Sequence, residues 1–256
     1  MAMIELSFRG RAAVAVLSRP PVNAINDELI KAFNAVLDEL AANKEWSVLH
    51  IRSSQKVFAA GADLDLIRSW KDAPSPGDAL AGYIERLQAL YHRLENLHQV
   101  TVCEINGAAM GGGLELALSC DLRVAADEAK IGLPEVGIGL LPGAGGTQRL
   151  TRLCGYGTAA RIILGCEPVD VKTAVSLGIA QWSAPREQLE ERARAIVDKI
   201  ANLPPHALQA AKRCMAANEG TNLHGFMMER DLGGALLNSV ETQRLINDFL
   251  ERNTKR

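Results

Sequence analysis

Val100-Thr101-Val102-Cys103-Glu104-Ile105-Asn106-Gly107-Ala108-Ala109-Met110-Gly111-Gly112-Gly113-Leu114-Glu115-Leu116-Ala117 changes backbone character twice within a short span. The first six residues are β-favouring and mostly apolar, and they predict a strand. Asn106-Gly107 is turn chemistry. The glycine run then leads into a helix expected from about Gly112 to Ser119, and Leu122–Ala126 reads as another strand. Strand, turn, helix and strand recur through roughly the first 130 residues, which argues for a layered α/β core and against a helical bundle.

Upstream, Ile4, Leu6 and Phe8 alternate, Arg9-Gly10-Arg11 turns, and Val14, Val16 and Leu17 follow, so a hairpin is expected. Asn26 or Asp27 caps a helix carrying Leu29, Ile30, Phe33, Val36, Leu37 and Leu40 at helical spacing. Ser47–Arg52 reads as a strand, and Asp63 as a helix start. Residues 68–82, with two prolines and two glycines, read as a mobile loop with room for short helical pieces, ahead of a helix from about Tyr83 to His98.

Downstream of Gly145 the pattern is helical, with segments at 147–153, 157–164, 171–177, 186–200, 206–218 and 226–253. The last hundred residues are expected to be largely strand-free. Their apolar faces suit covering the core or packing against another subunit.

Composition narrows the function classes. The chain has 256 residues, 48% hydrophobic content and a formal charge of −2, with a mean hydropathy of +0.01. That is a globular composition with no general reason to bind nucleic acid. No window is long and apolar enough to span a membrane, and the N-terminus does not read as a signal peptide. The five cysteines match no zinc spacing and read as reduced thiols of a cytoplasmic protein. The five histidines form no ligand cluster, so no metal is expected.

Two carboxylates carry the chemical interest. Glu115 falls in the first turn of the helix that the glycines open, among Leu114, Leu116, Ala117 and Leu118, and is expected to be enclosed. Glu135 follows Gly132-Leu133-Pro134, twenty positions later. An enclosed carboxylate is a candidate acid or base with a shifted pKa. Amides at a helix start can hold developing negative charge. Each glutamate could equally be a hydrogen-bonded structural group, and the glycines could simply allow tight packing. Spacing alone does not place the two together. Gly143-Ala144-Gly145-Gly146-Thr147 lacks the lysine of a phosphate loop and reads as a tight start to a helix, with Arg149 and Arg152 as surface or interhelix charges.

Several blocks, in order, resemble the enoyl-CoA hydratase/isomerase family, also called the crotonase family. They are Pro21–Asn26, Phe58–Asp63, Asn106–Ala117, Cys120-Asp121, Gly132–Glu135 and Leu141–Leu150. The resemblance spans nearly the whole chain. It implies an α/β fold, a crotonase-like spiral of repeated β-β-α units over 1–195, and a helical region over 196–256 that builds a homotrimer or hexamer.

It also implies an acyl-CoA thioester as substrate, with coenzyme A belonging to the substrate and no separate cofactor. Glu115 and Glu135 match the family's catalytic glutamates, and the amides of Ala62 and Gly112 match its oxyanion hole. Asn23, Ala24, Ile25, Ala60, Asp63, Leu64, Leu140, Pro142 and Gly143 match segments that hold the substrate. The implied reaction is reversible hydration of a trans-2-enoyl-CoA to a 3-hydroxyacyl-CoA. A double-bond isomerase and a catalytically silent acyl-CoA-binding protein are the alternatives, and the presence of both glutamates favours hydration. The family often carries a lysine where this chain has Asp65, so the CoA phosphates are expected to meet Arg19, Lys56 or Arg68 instead.

Overall fold

A computed structural model describes residues 2–43, 45–217, 230–231 and 233–254. The expected hairpin is present: β1 (Ile4–Arg9) pairs antiparallel with β2 (Ala12–Leu17). From β2 the sheet continues in parallel through β3 (Val48–Ser53), β4 (Val100–Ile105), β6 (Leu122–Ala126) and β9 (Trp182–Ala184). A second, small sheet pairs β5 (Ala109–Met110) in parallel with β7 (Lys130–Gly132), and β7 antiparallel with β8 (Val169–Asp170). Every β4 residue is buried, as expected of a strand covered on both faces.

α1 (Asp27–Ala42) is capped by Asn26, whose side chain accepts from the Leu29 amide at 3.0 Å, and it buries the six apolar residues predicted for its inner face. α2 (Leu64–Lys71) begins at an Asp63 cap. Two expectations need correction. Residues 68–82 are more helical than expected, because α2 runs to Lys71 and α3 (Pro76–Glu95) starts seven residues before Tyr83, leaving only 72–75 between them. Pro76 occupies the first helical position, where its missing N–H costs nothing, and Asp78 sits in the first turn, where a negative charge is favoured. The last hundred residues are largely strand-free as expected, the short β8 and β9 extending the two sheets. The final helical region is not continuous: Asn238-Ser239 interrupts it ahead of α9 (Val240–Thr254). Its beginning, 226–229, lies outside the described residues.

The other C-terminal helices fall where the periodicity put them. α5 (Gly146–Leu164) is interrupted at Gly155, between the two segments expected there. α6 (Val171–Ser176), α7 (Arg186–Ala201) and α8 (Pro205–Ala217) follow. α7 packs on the main sheet, while α9 packs on α2 and on the 3-10 turn Glu135–Ile138. Among the described residues, no helix is long and apolar enough to cross a membrane.

Candidate active site

The register of the small sheet brings the two glutamates to one place. Met110 of β5 and Gly132 of β7 are partners in a parallel pair, and the Gly111 amide donates to the Gly132 carbonyl at 2.9 Å. Both chains therefore leave the sheet at the same edge. One turns into α4 (Gly112–Leu118) with Glu115 in its first turn, and the other into the 3-10 turn that Glu135 opens. Both glutamates line a single cavity of about 320 Å³.

Two glycines make that approach possible. Gly111 has φ 52°, and a Cβ there would lie 2.8 Å from Glu135 Oε1. A Cβ on Gly113 would collide with the Ala59 carbonyl, so α4 packs directly on the 59–62 segment.

Glu115 is 3% exposed, as expected from its apolar neighbours. Its Oε1 accepts from the amides of Ala144 and Gly146, each at 2.8 Å. Burial raises its pKa to about 7, against the opposing pull of those two amides and of Arg149. The carboxylate is thus poised to exchange a proton near neutrality, with one oxygen fixed by the backbone.

Arg149 is an interhelix charge, one of the two readings the sequence allowed, and it is buried rather than on the surface, at 2% exposed. Its Nη1 donates to the Ala144 carbonyl at 2.9 Å and its Nη2 to Glu95 at 2.7 Å. Ala144 consequently links the two groups, with its amide on Glu115 and its carbonyl on Arg149. Gln88 Nε2 holds the adjoining Gly143 carbonyl at 2.7 Å. The 143–146 loop is thereby braced from α3 and α5 together.

Two backbone amides are directed to the same space by local structure. In the bridge between Ile25 and Ala62, Ile25 bonds the Gly61 carbonyl at 2.7 Å and the Asp63 amide at 3.1 Å. That pattern turns the intervening Ala62 amide to the other edge. Gly112 is the first residue of α4, where an N–H has no intrahelical acceptor. Both residues line the cavity.

A family model described as enoyl-CoA hydratase/isomerase matches residues 9–256. The chain belongs to the enoyl-CoA hydratase/isomerase family. It is 33% identical to a probable enoyl-CoA hydratase of Bacillus subtilis, over 98% of this chain and 97% of the relative. It is also 33% identical to the 2,3-dehydroadipyl-CoA hydratase of Escherichia coli, over 99% and 98% of the two chains. Among solved structures, a putative enoyl-CoA hydratase from Streptomyces avermitilis superposes with a TM-score of 0.86 at 28% identity, covering 97% of this chain and 91% of that one. Crotonase-fold architecture therefore holds for this chain.

Within this hydratase/isomerase chain the remaining sequence-chosen residues divide into two groups. Ala60, Leu140 and Gly143 line the cavity with Ala62, Gly112 and the glutamates. Asn23, Ala24, Ile25, Asp63, Leu64 and Pro142 are not among the residues that line it. Asn23 is fully buried, its Oδ1 accepting from the Arg19 amide and its Nδ2 donating to Ser53 and the Phe58 carbonyl. Asp63 caps α2 and pairs with Arg19 at 2.5 Å. Arg68 pairs with Asp65 at 2.7 Å, and Lys56 is exposed.

Sequence reasoning missed Arg149, the 144 and 146 amides, and Tyr91, whose hydroxyl donates to the Gly112 carbonyl at 2.9 Å. The glycines of 143–146 were a usable signal for the amides. Among the described residues, no three His, Cys, Asp or Glu side chains gather as a metal site would require.

Proposed function

We propose that this protein reversibly hydrates a trans-2-enoyl-CoA thioester to a 3-hydroxyacyl-CoA. The observation that carries the reading is Glu115, buried, anchored through one oxygen and sharing its cavity with Glu135. Here Glu115 takes a proton from water as the hydroxide adds to C3. The electron pair of the C2–C3 bond moves to the thioester oxygen, where the amides of Ala62 and Gly112 stabilise the enolate. Protonated Glu135 then delivers its proton to C2. Water's elements are thus added across the double bond, and one proton passes from Glu115 to Glu135 to restore the start.

Loss of enoyl-thioester absorbance on incubation with crotonyl-CoA tests the reading, and recovery of 3-hydroxybutanoyl-CoA separates hydration from isomerisation. No loss with any enoyl-CoA would overturn it.

We further propose a trimer or hexamer. Exposed apolar side chains support this: Leu153, Tyr156 and Leu164 of α5, with Met215 and Val240 in the 196–256 region. A cytoplasmic setting accords with the five free cysteines.

A further inference from the structure

Resting on the hydratase reading, we propose that the acyl group is uncharged and apolar to its far end, and that a substrate ending in a second carboxylate is rejected. Overall identity does not decide this point. The chain is as similar to the E. coli 2,3-dehydroadipyl-CoA hydratase as to the B. subtilis probable enoyl-CoA hydratase, at 33% each. The cavity does decide it.

Beyond the two glutamates, its walls are Trp70 of α2, Leu80, Ile84 and Leu87 of α3, and Phe249 of α9. Tyr83, whose ring lies 4.8 Å from that of Trp70, already donates its hydroxyl to the Ile25 carbonyl at 3.0 Å. Among the described residues, no lysine, arginine or histidine lines the cavity. Two cations on the neighbouring helices are engaged elsewhere: Arg68 pairs with Asp65, and Arg86 with Asp27 at 2.9 Å.

A terminal carboxylate would therefore leave water for aromatic and aliphatic carbon, with no cation to meet it. It would also enter a cavity that already holds the ionised Glu115, adding like charge. An alkyl terminus meets the same walls favourably, because its burial removes apolar surface from water.

The experiment compares crotonyl-CoA, trans-2-hexenoyl-CoA and 2,3-dehydroadipyl-CoA with the wild-type protein. The last two have the same chain length and differ at the terminus, methyl against carboxylate. The expected result is a kcat/KM for dehydroadipyl-CoA at least ~100-fold below that for hexenoyl-CoA. Equal values for the two, with crotonyl-CoA hydrated, would overturn the tail assignment and leave the hydratase reading standing.

Inactivity on all three would count against the hydratase reading, and the tail assignment is then read by calorimetric titration with hexanoyl-CoA and adipyl-CoA. At least ~100-fold tighter binding of hexanoyl-CoA supports it, and equal binding overturns it.

Discussion

Met110 and Gly132 are register partners in a parallel strand pair, and that single alignment determines where two acidic side chains twenty residues apart end up. Moving the register by one residue would turn each following segment to the opposite face. Glu115 and Glu135 would then no longer share a cavity.

Glu115→Gln and Glu135→Gln should each lower crotonyl-CoA hydration by about 10²–10⁴-fold in a protein that still folds, the range of a lost acid or base. Initial rates alongside circular dichroism check this. Full activity in both variants would sink the two-glutamate mechanism.

With Glu115 at about 7 and its ionised form acting as base, kcat/KM should fall about tenfold per pH unit below pH ~7. A rate that is flat from pH 8 to pH 5 would exclude Glu115 as the base.

The same group contributes to stability with a defined sign. Its folded pKa of about 7 lies above the ordinary glutamate value of 4.5, so between those two the folded state binds more protons than the unfolded one. Stability contributed by Glu115 is present below pH ~4.5 and is lost as pH rises through ~7, a change on the order of 3 kcal/mol. Denaturant titrations should therefore show Glu115→Gln gaining on wild type as pH rises from 4.5 to 8. A constant difference would contradict the burial argument.

Arg149→Met removes a cation that favours the ionised form of Glu115 and frees the Ala144 carbonyl. The acidic limb of the pH–rate profile should move to higher pH. Arg149→Lys, which keeps the charge, should leave the limb nearer wild type. A merely structural arginine would lower the rate at every pH without moving the limb.

Gly113→Ala should destabilise the fold by about 1–3 kcal/mol, because the added methyl meets the Ala59 carbonyl in a packed interior. A fall in Tm checks this. Sedimentation should give a mass well above the 27.6 kDa of one chain at micromolar concentration.

Much of the fold was legible because its elements are amphipathic or continuously apolar: the 4–17 hairpin, α1, β4 and the α4 helix each announce themselves by spacing. α3 was misplaced because its first turn contains Pro76 and Gly77, which read as loop although the proline suits a helix start. β9 escaped notice because three residues carry no periodicity.

The site was legible only in part for a different reason. Glu115 is marked by apolar neighbours on its own helix, whereas its meeting with Glu135 depends on a pairing between strands of two and three residues. The burial of Arg149 was not legible because it comes from a distant element, α3, through Glu95. Asn23, chosen for its motif, ties its loop to Ser53 and the Phe58 carbonyl.

Phe249 lines the cavity from the last helix, which Thr242 fastens to the Gly139 carbonyl at 2.8 Å. Synthesis runs from the N-terminus, so both glutamates leave the ribosome more than a hundred residues before the side chain that closes over them. A product that stopped short of Phe249 would hold both glutamates yet lack one wall of the cavity they line.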